Sequence, residues 1–238
     1  MVMSCEGGQY PNAKKPYINN IKAYADAGGR LFNDHLHYYW LRYGPNPWPM
    51  TAAYISPANP QPTPTTGTIV TTFPKGAALA DWLVNVGGSS TRGQITVYGA
   101  QHSVDAVNAP TQAWITIGSA TDYLTFNTPV EAAAANQCGR VVDTDLHVKD
   151  VPSNQNGKDN SDPSKPFPSA CQSTMMSAQE KALEFLFFDL SSCVQPDSTM
   201  PQPPIVPPPG VPTTPPPTTS KPPAVPPPPP LPPPPNPG

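Results

Sequence analysis

Apolar residues recur at three- and four-residue spacing from Lys15 to Ala27, through Tyr17, Ile18, Ile21 and Tyr24 or Ala25, which predicts an amphipathic helix. Gly28 and Gly29 end it, because the left-handed position after a helix favours glycine. Arg30 to Asn33 then read as a short buried strand, and residues 1–5 as an earlier one. A strand, a helix and a strand within about 33 residues predict a right-handed βαβ unit with parallel strands. His37 to Tyr43 is aromatic and reads as a short helix or turn. Gly44 to Pro64 is dense in proline and reads as loop.

The pattern then changes period. Thr68 to Phe73 is β-branched and strand-like. After Pro74, residues Ala78, Leu79, Trp82, Leu83 and Val86 share one helical face, closed by Gly87 and Gly88. Gln94–Tyr98, Ala113–Ile117 and Tyr123–Asn127 read as strands of an antiparallel, β-rich insertion spanning about 44–137. Arg140 to His147 reads as another core strand ending in polar residues. A polar loop covers about 150–172. Ser177-Ala-Gln-Glu180 is a capping box opening a helix with the buried stripe Leu183, Leu186, Phe187 and Leu190.

Composition sets the domain limits. Of 39 prolines, 23 lie between Pro196 and Gly238. That density favours polyproline II and excludes helix and sheet. The reading is one domain over 1–195 and a disordered Pro-rich tail over 196–238. Fully extended at ~3.1 Å per residue, the tail reaches roughly 100 Å. It suits a spacer or cell-wall-crossing stalk. The alternative is a ligand for an SH3-, WW- or profilin-type groove around Leu231. The Lys221 register carries Ala224 where a proline would be needed, which weakens the SH3 case.

A net charge of −3 and a charged fraction of 12% leave no basic run for nucleic acid or for a polybasic membrane patch. No apolar run approaches the ~20 residues of a membrane span. Met1 to Cys5 lacks the basic start and apolar core of a signal peptide, yet the chain opens inside a strand, so an incomplete amino end is expected. The four cysteines, Cys5, Cys138, Cys171 and Cys193, have no CxxC spacing. An even number in a chain of low charge suits two disulfides and an extracellular or cell-surface location; free buried thiols are the alternative.

The candidate chemistry gathers at strand ends. Asp34, His35 and His37 follow one core strand, and Asp145 and His147 follow another. If these strands are neighbours, all five converge. They can then hydrogen-bond loop backbone, line a carbohydrate or other polar-ligand site, hold Zn²⁺ through His35, His37 and His147, or serve as general acid and base. No cofactor is expected on the first two readings. Tyr38, Tyr39, Trp40, Tyr43 and Trp48 beside the cluster can stack sugar rings or pack the proline-dense loop. His102, Ser103 and Asp105 form no triad signature, since no Gly-x-Ser-x-Gly elbow is present, and His102 reads as a loop residue. Cys5 is a poor nucleophile, because Glu6 beside it raises a thiol pKa. There is no phosphate loop and no dinucleotide fingerprint.

The order strand–Cys5-Glu6-Gly7, helix, Gly28-Gly29-Arg30-Leu31-Phe32-Asn33-Asp34-His35, β-rich insertion, Gly139-Arg140-Val141-Val142 leading to His147, then a final helix resembles the class I glutamine amidotransferase-like superfamily, particularly its ThuA-like branch. The resemblance covers about residues 1–194, with specific matches at Gly28–His35 and Gly139–His147. It implies a flavodoxin-like three-layer α/β/α fold with parallel core strands, whose first strands and helix would precede Met1. Active members carry a nucleophilic Cys on an elbow just after the Gly-Gly strand. Asn33, Asp34 and His35 stand there instead, so glutaminase chemistry is not expected. Phe185–Cys193 and the Pro-rich tail are also similar in style to secreted bacterial proteins.

In such a sheet, Cys5 and Cys171 fall at the carboxyl edge of the strands and Cys138 and Cys193 at the opposite edge, so the expected bridges are Cys5–Cys171 and Cys138–Cys193. The functional expectation is an exported, non-catalytic or degenerate amidotransferase-like module with a polyproline stalk, contacting polysaccharide or cell wall. The alternative is a metal-dependent or carbohydrate-active hydrolase using His35, His37 and His147.

Overall fold

The computed structural model describes residues 1–4, 6–146 and 176–200. The expectations for Cys5, His147, Cys171, the 150–172 loop and the tail beyond Met200 lie outside the described residues.

The fold is mixed α/β. The strands are β1 (Val2–Met3), β2 (Arg30–Asp34), β3 (Ala52–Pro60), β4 (Thr65–Ile69), β5 (Gln94–Val97), β6 (Gln101–Val107), β7 (Gln112–Ile117), β8 (Ala120–Thr128) and β9 (Gly139–Thr144). The helices are α1 (Pro11–Lys14), α2 (Ile18–Asp26), α3 (Tyr39–Arg42), α4 (Pro74–Asn85) and α5 (Ala178–Ser191). A seven-stranded sheet runs in the order β1-β2-β9-β8-β7-β4-β5, and β3 and β6 form a separate antiparallel ribbon.

The β1–α2–β2 unit is as expected: β1 pairs parallel to β2, and β2 parallel to β9. Gly28 has φ 101°, in the left-handed region that ends the helix. The regular helix starts only at Ile18, because Lys15–Tyr17 is a 3-10 turn containing Pro16, which has no N–H to give. At Gly139 a Cβ would overlap the Ala25 carbonyl and the Thr128 hydroxyl, so only glycine lets the end of α2 rest on the start of β9.

Apart from the β3–β6 ribbon, the insertion strands join the main sheet. β8 pairs antiparallel with β9, and β7, β4 and β5 continue the same sheet. The strand expected at Thr68–Phe73 lies earlier, at Thr65–Ile69, and Phe73 becomes the residue preceding α4. The proline-dense 44–64 stretch is not all loop, because β3 runs through it. Prolines are tolerated there because β3 pairs on one side only, with β6, and its register shifts between Tyr54 and Asn59, around Pro57. His102 correspondingly lies in β6 rather than in a loop.

Alternation along the strands divides the core in two. Phe32, Ile69, Trp114, Ile115 and Val142 pack with Leu79 and Leu83 of α4 and Leu186 and Leu190 of α5. Leu31, Leu124, Phe126 and Val141 pack with Ala25 of α2, Leu41 and Trp48, and Ala52 and Val104 of the ribbon. Phe32 and Leu31 are adjacent residues of β2, so the two clusters lie on opposite faces of the sheet. The capping box is present: the Ser177 hydroxyl accepts from Glu180 N–H, and the Glu180 carboxylate accepts from Ser177 N–H.

The compact unit ends at Pro201 rather than at 195. The reason is Asp197. Its carboxylate pairs with Arg140 at 2.7 Å and lies 3.6 Å from Lys75, and it accepts from the Thr125 hydroxyl at 3.2 Å. The residues after α5 are thereby drawn onto the sheet.

Candidate functional site

The parallel register of β2 and β9 sets Asn33 beside Asp143 and Asp34 beside Thr144. Both strands end at the same edge. β8 runs the other way, so its beginning arrives there too, and Asp145 N–H donates to the Asp122 carbonyl at 2.8 Å. Asp34, Asp122, Asp143 and Asp145 are all buried at this edge, together with His35 and His37. Asp145 and Asp34 both act on Asp143, and Asp145 acts on Asp122, so these carboxyls are neighbours, while His35 and His37 follow β2 in the adjoining turn.

His35 leaves β2 with φ 41°, one of two non-glycine residues with positive φ among those described. A residue held in the left-handed region at a strand-to-helix junction marks a sharply turned elbow, and such strain concentrates at functional positions.

Asp122, Asp143 and Asp145 are displaced toward their neutral forms. Burial pushes Asp122 up to about 8, with Asp145 adding to the effect and a backbone hydrogen bond from Ile117 opposing it. Burial drives Asp143 well above the usual carboxylate range, reinforced by Asp145 and Asp34. Burial raises Asp145 to about 6, limited by its hydrogen bonds from Ser103 and by His102. Asp145 Oδ2 accepts from Ser103 N–H at 2.6 Å, and the Ser103 hydroxyl reaches both carboxylate oxygens at 2.7 and 2.9 Å. Asp145 therefore ties the β3–β6 ribbon to the end of β9.

His37 is committed elsewhere. Trp40 Nε1–H, which can only donate, points at His37 Nδ1 at 3.2 Å. Nε2 must then carry the proton and donate to the Ser4 carbonyl at 2.9 Å. Burial first, then Lys14, lowers the His37 pKa, against Glu6 and the Ser4 hydrogen bond. Both ring nitrogens of His37 are thus engaged in hydrogen bonds within the fold. Among the described residues no group of three His, Cys, Asp or Glu side chains is placed to hold a metal ion. His147, the third expected ligand, lies outside them.

The other sequence candidates also resolve. His102 pairs with Asp105 at 2.7 Å while Ser103 turns to Asp145, so these three residues form no triad. Tyr38, Tyr39, Trp40 and Trp48 are buried in packing; only Tyr43 stands exposed. Cys138 and Cys193, expected as a disulfide, are exposed free thiols.

The cavity beside Asp34, lined by Phe32, Tyr123, Thr144, Leu146, Gln179 and Leu183, has a volume of about 10 Å³. That admits roughly one water molecule. Sequence reasoning missed Asp122, Asp143 and Ser103. The available signal was an acidic residue inside an otherwise apolar or β-branched run, at Thr121-Asp122-Tyr123 and Val142-Asp143-Thr144. The chain matches no family model, no curated protein and no solved structure.

Proposed function

We propose that this chain is an exported, degenerate amidotransferase-like α/β domain, flavodoxin-like in its layering, that serves as a binding or structural surface module on a polyproline stalk. The observation that carries the reading is His35. It occupies the sharply turned junction after β2, where the resembled family keeps its nucleophilic Cys, and it brings no thiol or hydroxyl to that point. The groups around it support the same reading. His37 and Asp145 are engaged in internal hydrogen bonds, and the adjoining cavity has room for about one water. The partner this reading favours is a polysaccharide or cell-wall polymer.

The test is the purified full chain with glutamine, and with chromogenic esters and glycosides, alongside sedimentation with insoluble cell-wall polysaccharide. Binding without turnover is the expected result. Turnover that is lost in His35→Ala or His147→Ala, with folding intact, would overturn it.

A second reading has one specific observation in its favour. Burial pushes Asp145 up to about 6 and Asp122 up to about 8 at the sheet edge where β2 turns at His35, and perturbed carboxyls of this kind cluster at catalytic sites. On that reading the domain is a metal-dependent or carbohydrate-active hydrolase. Stoichiometric zinc by elemental analysis would establish its metal-dependent form.

A further inference from the structure

Asp197 lies in a receptor built for a carboxylate. Arg140 is buried on β9, and its Nη2 donates to Asp197 Oδ1 at 2.7 Å. Lys75 Nζ of α4 lies 3.6 Å from the same oxygen. The Thr125 hydroxyl of β8 donates to Asp197 Oδ2 at 3.2 Å. Its direction is fixed. Trp114 Nε1–H at 2.8 Å and Arg140 Nη2 at 3.1 Å both donate to the Thr125 oxygen, which leaves its single proton for the carboxylate. Arg140 is held in turn by Asn127 Oδ1 at 2.8 Å and by Asp189 of α5 at 2.7 Å, and Lys75 by Asp189 at 2.7 Å. Two cations thus face one resident anion, and the buried site calls for a second. Strands and helices of the core supply every one of these groups, so the receptor is set by the fold and not by the segment that fills it.

That segment is lightly attached. Gln195, Pro196 and Ser198 are exposed. Besides the Asp197 carboxylate, Gln195 O accepts from Asn127 Nδ2 at 3.1 Å, and Thr199 N–H closes a turn on Pro196 O at 2.9 Å. The segment does not fill its surroundings. A groove of about 370 Å³ remains beside it, lined by Gln112, Asn127, Val130 and Gln137 together with Pro196, Asp197 and Ser198. That volume falls within the range of ligand sites. We propose that this groove is a peptide-binding site for an aspartate presented on a turn, closed in the free chain by its own Gln195–Ser198, and that an acidic turn of a partner protein displaces that segment. The partner's carboxylate takes the Arg140, Lys75 and Thr125 donors. Asn127 takes a main-chain carbonyl two residues earlier, as it does for Gln195. The rest of the partner's peptide occupies the open groove. Partner binding thereby detaches from the sheet the segment that leads into the Pro-rich stretch. This inference does not depend on the proposed function.

The probe is a synthetic, end-capped and fluorophore-labelled peptide with the sequence of Val194–Met200, added to the full chain and read by fluorescence anisotropy. In the wild type the attached segment competes with it at an effective concentration on the order of millimolar. The expected result is saturable binding to full-chain Asp197→Ala, at least about tenfold tighter than to wild type. The same peptide with asparagine in place of its aspartate should bind about tenfold or more weakly, because the charge-assisted hydrogen bonds are lost. Asp197→Asn keeps the size of the side chain and repeats the comparison should the alanine variant fail to fold. Equal affinity for wild type and variant, equal affinity of the aspartate and asparagine peptides, or no binding to a variant that unfolds cooperatively would each overturn the proposal.

Discussion

Asp145 accepts hydrogen bonds from both the backbone N–H and the hydroxyl of Ser103, across 42 positions of sequence. This is the joint between ribbon and sheet. Ser103→Ala keeps the backbone bond and removes the hydroxyl. We expect a loss of about 1–3 kcal/mol in urea unfolding, because the acceptor is a buried carboxylate. The same change removes a group that favours the ionised form, so the Asp145 pKa should rise above about 6 in an NMR titration.

Asp122 gives the pH dependence a sign. Its folded pKa of about 8 lies above the ~3.9 of an unfolded Asp. Between those values the folded chain holds a proton that the unfolded chain has released. Its contribution is complete below pH 4 and is lost as pH rises through 8. Asp122→Asn mimics the protonated form and removes this term. The variant should match wild type near pH 4 and exceed it by roughly 2–5 kcal/mol at pH 8, read from urea unfolding at both pH values. Equal stability at pH 8 would show that Asp122 ionises in the fold at little cost.

Arg140 is 1 % exposed and meets Asp197 and Asp189, each at 2.7 Å. Removing one partner of a buried ion pair leaves an uncompensated charge, at a cost of about 3–5 kcal/mol. Asp189 remains beside Arg140, so Asp197→Ala should fall at the lower end, about 3 kcal/mol. Truncation after Gln195 should cost at least as much, whereas truncation after Pro201 should leave stability within about 0.5 kcal/mol of the full chain.

The contrast between these residues shows how much was legible in sequence. Gly28, the β2 and β9 strands and the Ser177–Glu180 box were readable because each rests on local chemistry: a left-handed cap, a buried run, a reciprocal pair of hydrogen bonds. Asp34, His35 and Asp145 were readable because they follow such runs. β3 was hidden by prolines that an unpaired strand side tolerates. Asp122 and Asp143 were hidden because their burial depends on register between strands distant in sequence. Asp197 looked like tail because nothing local announces that Arg140, fully buried on β9, draws it in.

His37 should stay neutral to a pH below the ordinary histidine pKa, since burial and Lys14 lower it. A lowered histidine contributes stability that is present above the unfolded value of 6.5 and lost as pH falls through the folded one. Nitrogen-15 NMR of the ring should report the Nε2–H tautomer at pH 6. Trp40→Phe removes the donor to Nδ1, which favours the neutral ring, so the pKa should move up toward 6.5. An Nδ1–H tautomer at pH 6 would refute the assigned hydrogen bonds.

His35 carries the last test, because its backbone and its side chain make separable contributions. With φ at 41°, any residue with a Cβ is strained there and glycine is not. Alanine and glycine both delete the buried imidazole. The difference between His35→Ala and His35→Gly therefore isolates the elbow. We expect the glycine variant to be more stable than the alanine variant by about 1 kcal/mol, reversing the order found at ordinary positions, where glycine is the weaker of the two. Urea unfolding of the two variants side by side reads this directly. If alanine proves the more stable, the junction after β2 is not turned as described, and the likeness of His35 to a nucleophile elbow loses its basis.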